Sequence, residues 1–245
     1  MIRTVKAWLL RWLGPEGYGR VKQVLDRFVF RYRRRAYSQF GEDLFLADYF
    51  EGQAEGTYVD VGAFHPRQFS NTQLLYERGW RGLNVDATPG SMRLFAALRP
   101  GDVNLELAIS DQPGPHALHS WGLHAENSLA PDQVRAAEGQ LGAAHEVVSL
   151  EARTLTQVLD ENGFQNRPID LLTVDAEGHD LAVLRSLDWG RYHPRLVVAE
   201  LFAFDLEALV ASDRYAFMTK QGYRLAGWHR PSVIFEALPE EGGGA

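Results

Sequence analysis

The run Tyr58-Val59-Asp60-Val61-Gly62-Ala63, answered by Gly82-Leu83-Asn84-Val85-Asp86, decides the fold of this chain. Each reads as a buried strand whose end carries a carboxylate, and the two lie about 25 residues apart, as successive strands of a nucleotide-binding sheet do. In such a sheet the loop after the first strand brings backbone amides close to a ligand. An acid at the tip of the second strand can accept both hydroxyl hydrogens of a ribose, and Asp86 holds that place.

Outward from this pair the elements keep a regular order. Ser38 to Phe50 reads as a helix with Glu42 and Asp43 in its first turn, where the helix dipole favours negative charge. Asn71 to Arg78 is a second helix stopped by Gly79, and Pro89 to Leu98 a third, closed by Pro100-Gly101. Val103 to Ile109 makes a third strand. The resulting β-α-β-α-β order predicts parallel strands with right-handed crossovers.

Residues 111–145 break the pattern. They are rich in Gly, Pro, His and Ala, alternate weakly around Ala117 to Leu123, and read as an insertion or lid beside the active site. His116, His119, His124 and Trp121 could meet a substrate there, but their spacing is too irregular for a metal site. Order returns with a strand at Glu146 to Leu150 and a helix from Thr154, its N-cap, to Asn162. Ile169 to Val174 is the fourth main strand, and Asp175-Ala176-Glu177-Gly178-His179-Asp180 opens a helix through Leu187. Leu196 to Ala199 is a fifth strand ending at Glu200, and Tyr223 to Trp228 with Ser232 to Ala237 form an antiparallel closing hairpin. No internal repeat is evident.

The loop chemistry narrows the ligand. A dinucleotide needs glycines where this chain has Ala63, Phe64, His65 and Pro66, and Asp60 would repel a phosphate. A ligand with ribose, adenine and a cationic amino-acid end fits better, which describes S-adenosylmethionine (SAM).

Among the 245 residues none is cysteine, so disulfides and thiolate chemistry are excluded. The net charge of -7 is unevenly spread: residues 1–40 carry ten Lys or Arg against Glu16 and Asp26, giving +8 and leaving -15 for the rest. Ile2, Val5, Trp8, Leu9, Trp12 and Leu13 follow helical spacing up to Gly14-Pro15, and Val21, Val24, Leu25, Phe28 and Tyr32 mark a second amphipathic helix closing in Arg33-Arg34-Arg35. Such a basic aromatic segment, residues 1–35, suits peripheral contact with an anionic membrane face or docking on the domain or a second subunit. It is too short and charged to span a bilayer and lacks a small-residue cleavage site, so a cytoplasmic protein is expected. The acidic remainder offers no basic groove for nucleic acid.

Five ordered blocks carry a family resemblance: Ser38-Gln39-Phe40-Gly41-Glu42-Asp43, Val59 to Pro66, Ser70-Asn71-Thr72, Gly79 to Asp86, and Asp170 to Asp180. On these the chain resembles the FkbM-type SAM-dependent methyltransferases, which mostly methylate hydroxyls of sugars and secondary metabolites. The resemblance covers about residues 37–236. It implies a class I methyltransferase fold of the α/β class, a Rossmann-like three-layer sandwich around a mostly parallel seven-stranded sheet with an antiparallel closing strand. It implies further that Gly62 and Ala63 pack on the methionine end of SAM and Asp60 meets its ammonium. Asp86 would bind the ribose, Ile109 and Ser110 would flank the adenine, and Ser70 and Asn71 would close the pocket. The domain plan is then basic helices over 1–36, the methyltransferase domain over 37–238 and a flexible tail over 239–245.

Methyl transfer to an alcohol needs the hydroxyl aligned on the methyl group and its proton removed. Asp175, Glu177 and His179 share one strand-to-helix turn and are candidates for the base, with His65 a competitor across the cleft. Asp175 and Glu200, at adjacent strand tips, could share a magnesium ion through oxygen, but Leu201 and Phe202 stand where a second acid would be, which counts against metal dependence. Trp80 reads as core, whereas Phe202 and Phe204 suit the lining of a substrate pocket. The expected acceptor is a saccharide or glycosylated small molecule. A nicotinamide-dependent oxidoreductase and a membrane-docked, non-catalytic nucleotide-binding scaffold are the competing readings. The sequence leaves homo-oligomerisation open.

Overall fold

In the computed structural model, which describes residues 11–18, 20–21, 34–122, 124–143 and 145–239, the run Thr57–Val61 forms strand β1 with every residue buried. Helix α1 (Glu42–Tyr49) precedes it, and α2 (Gln73–Glu77), β2 (Arg81–Asp86), α3 (Met92–Leu98) and β3 (Val103–Glu106) follow. The chain then builds β4 (Ala108–Ile109), β5 (Gly114–Ser120), α4 (Pro131–Leu141), β6 (Glu146–Arg153) and α5 (Leu155–Glu161). It ends with β7 (Leu171–Val174), α6 (Asp180–Arg185), β8 (Leu196–Glu200), α7 (Leu206–Val210), α8 (Asp213–Lys220), β9 (Tyr223–His229) and β10 (Ser232–Ala237).

Seven strands make the main sheet in the order β3-β2-β1-β7-β8-β10-β9. The pairs from β3 to β8 are parallel, and β10 runs antiparallel to both its neighbours. The hairpin expected at the C-terminus therefore forms, and its second strand inserts between β8 and β9. Strand order reverses between β1 and β7, so the carboxyl ends of β1, β2, β7 and β8 frame the crevice where such sheets bind ligands.

Strand periodicity divides the core between two faces. Val59, Leu83, Leu172 and Val197 pack with Leu155, Val158 and Leu159 of α5 and Val183 and Leu184 of α6. Tyr58, Leu171, Leu196 and Val198 pack on the other face with Leu46 and Phe50 of α1, Leu75 and Trp80. Trp80 is fully buried, as its reading as core requires. At about 1.5–3 kcal/mol per buried large apolar side chain, these two layers fix the three-layer sandwich.

Several boundaries differ from the sequence expectation for local reasons. Helix α1 starts at Glu42 rather than Ser38, because the Ser38 hydroxyl accepts the amides of Gly41 and Asp43 and holds residues 38–41 in a turn. The expected single strand Val103–Ile109 is two: β3 ends at Glu106, Leu107 N–H donates to Asp86 C=O, and β4 joins a second sheet of order β4-β6-β5. Residues 111–145 are not irregular, since β5 pairs with β6 along its whole length and α4 follows. Strand β5 is only partly buried, so its sequence shows no clean alternation. Helix α5 begins as expected, with Thr154 and Gln157 forming a reciprocal capping box. Helices α7 and α8 were not expected, although Asp205 and Ser212 cap them.

The chain divides into two units, Met1–Arg35 and Ala36–Ala245. Residues 11–18 are helical across Gly14-Pro15, where the first helix was expected to stop; Gly14 takes φ +64°, a conformation open to glycine before proline. The expected amphipathic faces over 1–10 and 22–33 and the tail beyond residue 239 lie outside the described residues. Among the described residues no helix is long and apolar enough to cross a membrane.

Candidate functional site

The cleft has two connected compartments at the carboxyl ends of β1, β2, β7 and β8. Asp60, Ala63, Ser70, Asn71, Thr173 and Glu200 line one; Asp86, Thr88, Ile109, Leu118 and His179 line the other. Gly62, Phe64, Asp175 and Glu177 line both, and so join them.

Gly62 is required by two observations. Its φ is +79°, and a Cβ there would lie 1.7 Å from the carbonyl oxygen of Asp175. The loop after β1 thus touches the loop after β7, and no other residue type allows that approach. The amides of Gly62 and Ala63 both donate to Val85 C=O, at 2.9 and 3.1 Å, which ties the same loop to β2.

The two acids read from the opening pair are held by donors. Asp86 accepts the amides of Phe64 at 2.9 Å and Thr88 at 2.8 Å, one on each oxygen. Burial raises its pKa, and these two amide bonds oppose the rise. Asp60 accepts the Thr72 hydroxyl at 2.8 Å, and burial pushes its pKa up to about 6. Asn71 bonds the Thr173 hydroxyl of β7 at 3.1 Å, and Ser70 is buried.

The acids of β7 and β8 sit differently. Desolvation raises Asp175 well above the ordinary carboxylate range, with Asp180 and Glu177 adding to it, although the residue as a whole is exposed. Glu177, at φ +46° in the turn before α6, is raised to about 7 by burial and by Glu126. Glu200 is raised to about 10, again by burial first and then by Asp175, and its Oε2 is buried with no hydrogen-bond partner. Asp180 is fully buried; it accepts the amides of Ala176 and Gly178, and Arg214 approaches it at 3.5 Å. Asp175 does not cap α6, whose N-cap is His179.

The insertion covers this turn. Ser128 Oγ donates to Glu177 C=O at 2.7 Å, and Asn127 Nδ2 donates to the Thr88 hydroxyl at 3.1 Å. Gly178, at φ +86°, lies so close to α4 that a Cβ would meet Gln133 at 2.6 Å. Ala125 and Glu126 line the compartment that contains Asp60. Residues 111–145 therefore supply one wall of the cleft.

The two candidate histidine bases both lie outside the Asp60 compartment. His179 Nε2 meets Ser110 Oγ at 3.2 Å beside Ile109, and burial lowers its pKa. It lines the Asp86 compartment only. His65 lines an adjoining cavity with Gln68, Pro89 and Arg93, which shares Phe64 and Thr88 with the Asp86 compartment; its Nδ1 faces the amides of Arg67 and Gln68, and burial lowers its pKa. Phe202 and Phe204, expected in the substrate pocket, are 66% and 89% exposed and line a groove with Arg230 and Pro231.

Asp175 and Glu200 come together as expected, and Asp180 joins them: one oxygen from each lies within 4.8 Å of the others, the one such acid or histidine group among the described residues. Asp180, from the start of α6, is the third acid of the group, its oxygens already taking the Ala176 and Gly178 amides. Oxygen-only donors fit a hard divalent ion. Sequence reasoning also missed Arg99, fully buried below the loop after β1. Its position after Leu98 and before Pro100 resembles an exposed helix end.

A family model described as Methyltransferase FkbM domain matches residues 60–225. Among solved structures, a TehB-like SAM-dependent methyltransferase from Corynebacterium glutamicum is similar at 13% identity and a TM-score of 0.40, covering 91% of this chain and 97% of that one. No curated protein matches in sequence.

Proposed function

This chain belongs to the FkbM methyltransferase family, and from that premise we propose that it transfers the methyl group of SAM to a hydroxyl of a sugar or glycosylated small molecule. The observation that carries the reading is the division of the cleft: acids furnished with donors on β1 and β2, and a proton-holding cluster on β7 and β8. Asp86 binds the ribose hydroxyls with the lone pairs its two amides leave open, and Asp60 meets the ammonium. Ile109 and Leu118 give the adenine an apolar surface.

SAM supplies an electrophilic methyl group on a sulfonium. Glu177 accepts the acceptor's hydroxyl proton as the oxygen takes the methyl, for which a pKa of about 7 suits neutral conditions. Glu200 stays protonated at neutral pH and can donate a hydrogen bond to the acceptor. Glu177 is preferred to His179 and His65 because it alone of the three lines both compartments of the cleft.

The partnerless Glu200 Oε2 favours a second reading in which Asp175 and Glu200 hold a divalent cation that acidifies the hydroxyl. Incubation with methyl-labelled SAM and a panel of sugars and glycosides tests both. Label on an acceptor oxygen supports the function, and loss of that transfer on chelation, restored by magnesium, selects the second reading. Label on nitrogen or carbon would overturn O-methylation.

A further inference from the structure

The fully buried Arg99 guanidinium has no carboxylate in salt-bridge contact among the described residues. Instead it donates to five neutral acceptors: Pro66 C=O at 2.5 Å, Ser70 Oγ and Thr72 Oγ1 at 2.8 Å, Gln73 Oε1 at 3.2 Å and Asn84 Oδ1 at 3.3 Å. Three of these belong to the segment between β1 and α2 and a fourth, Gln73, opens α2; the same segment presents Phe64 to Asp86 and Asn71 to Thr173. A buried cation that touches only neutral groups needs counter-charge nearby. Two acids supply it at one remove: Asp60 through Thr72, and Asp102 through Asn84, whose Nδ2 donates to Asp102 at 3.0 Å.

The donor arithmetic fixes the direction of this relay. A guanidinium has no acceptor, so Thr72 Oγ1 must accept from Arg99, and its one hydrogen is left to donate to Asp60 Oδ2. That bond favours the ionised carboxylate. Asp60 Oδ1 takes no hydrogen bond from the described residues, and Asp60 lines the cleft.

We propose that Arg99 is a positioning residue for the cofactor site, acting through the Thr72 hydroxyl to hold Asp60 ionised and with one oxygen aimed at the cofactor's ammonium. The inference rests on the SAM-binding reading above. Arg99 is the cation acting on Asp60; Asp102 and Asp86 act against its ionisation, Asp60 and Asp175 repel each other, and Glu126, Glu177 and Glu200 line the same compartment. In that company the relay is what opposes the effect of burial on Asp60.

The test compares full-length wild type with Thr72→Val, Thr72→Ser, Arg99→Met and Arg99→Lys. The Asp60 carboxyl is followed by carbon NMR from pH 4.5 to 9 without cofactor, and SAM affinity is measured by calorimetry over the same range. Wild type should titrate near pH 6. Thr72→Val moves the midpoint up by about one pH unit, so SAM binding weakens close to tenfold at pH 5.5 and by less than about twofold at pH 9. Thr72→Ser follows wild type, and Arg99→Lys moves the midpoint less than Arg99→Met. Thr72→Val is the deciding variant, because it leaves the guanidinium in place should Arg99→Met fail to fold. An unchanged Asp60 midpoint in Thr72→Val overturns the relay, as does a serine variant that behaves like valine. Wild type that binds no SAM at any pH sinks the functional reading, while the NMR midpoints still judge the relay.

Discussion

The two halves of the cleft use the same side chain for opposite ends. On β1 and β2, Asp60 and Asp86 are nearly buried, yet each is met by hydroxyl or amide donors. On β7 and β8, Asp175, Glu177 and Glu200 crowd one another, and Glu200 leaves a buried oxygen without any partner. Burial raises the pKa of every one of these acids, so the number of donors decides the outcome. Donors pull Asp60 and Asp86 back towards the charged form that the proposed cofactor contacts need. Glu177 and Glu200, by contrast, are raised to about 7 and about 10, which suits the proposed exchange of a proton with a substrate.

The harshest way to break this comparison is to separate the halves. Gly62→Ala drives a Cβ into the Asp175 carbonyl in a left-handed conformation, so SAM affinity should fall more than about a hundredfold and stability by about 4 kcal/mol or more. Calorimetry with a thermal melt reads both. Next in size, Glu177→Gln removes the proposed proton acceptor: kcat should drop about a hundredfold or more while the SAM Kd changes less than about threefold. The wild-type rate should climb with pH and level off above about 7, and the variant should lose that climb. A variant that keeps both rate and profile would put the base elsewhere.

Asp86→Asn tests the donor-rich half. It keeps the shape and one acceptor oxygen but loses the charge, and should weaken SAM about tenfold to a hundredfold with little change in kcat at saturation. For Glu200 the readout is stability. Its folded pKa of about 10 stands above its ordinary 4.5, so its contribution is complete below pH 4.5 and is lost as pH rises towards 10. Glu200→Gln should therefore melt about 10 °C or more above wild type near pH 9, and the gap should close towards pH 4.5. Magnesium that raises the wild-type Tm but not that of Glu200→Gln would favour the cation reading. The smallest effect is expected at His65→Ala, which lies in the neighbouring cavity and should change turnover less than about twofold.

The donor-rich half was the more legible in sequence. Apolar runs ending in Asp60 and Asp86 announce parallel strands, and the acid positions follow from strand order. The other half was legible only as a list of acids. Asp180 reads as an ordinary helix-start carboxylate, and that it turns back to Glu200 depends on Glu177 and Gly178 at positive φ, which spacing does not reveal. Arg99 was hidden because its acceptors span residues 66 to 84 and its burial is a tertiary fact. The insertion read as irregular because β5 has little buried face to pattern, and α4 carries no side-chain cap. Phe202 and Phe204, just past β8, line a groove beside Pro231 rather than the two compartments of the cleft, a placement that adjacency to a strand end does not reveal.

Calorimetric titration of the full-length protein with SAM, its demethylated thioether product and NAD, repeated on Asp86→Asn, tests the central claim most directly. The account predicts that SAM and its product bind, that the variant loses at least about tenfold for both, and that NAD does not bind. Binding of NAD alone, or SAM affinity indifferent to Asp86, would contradict it.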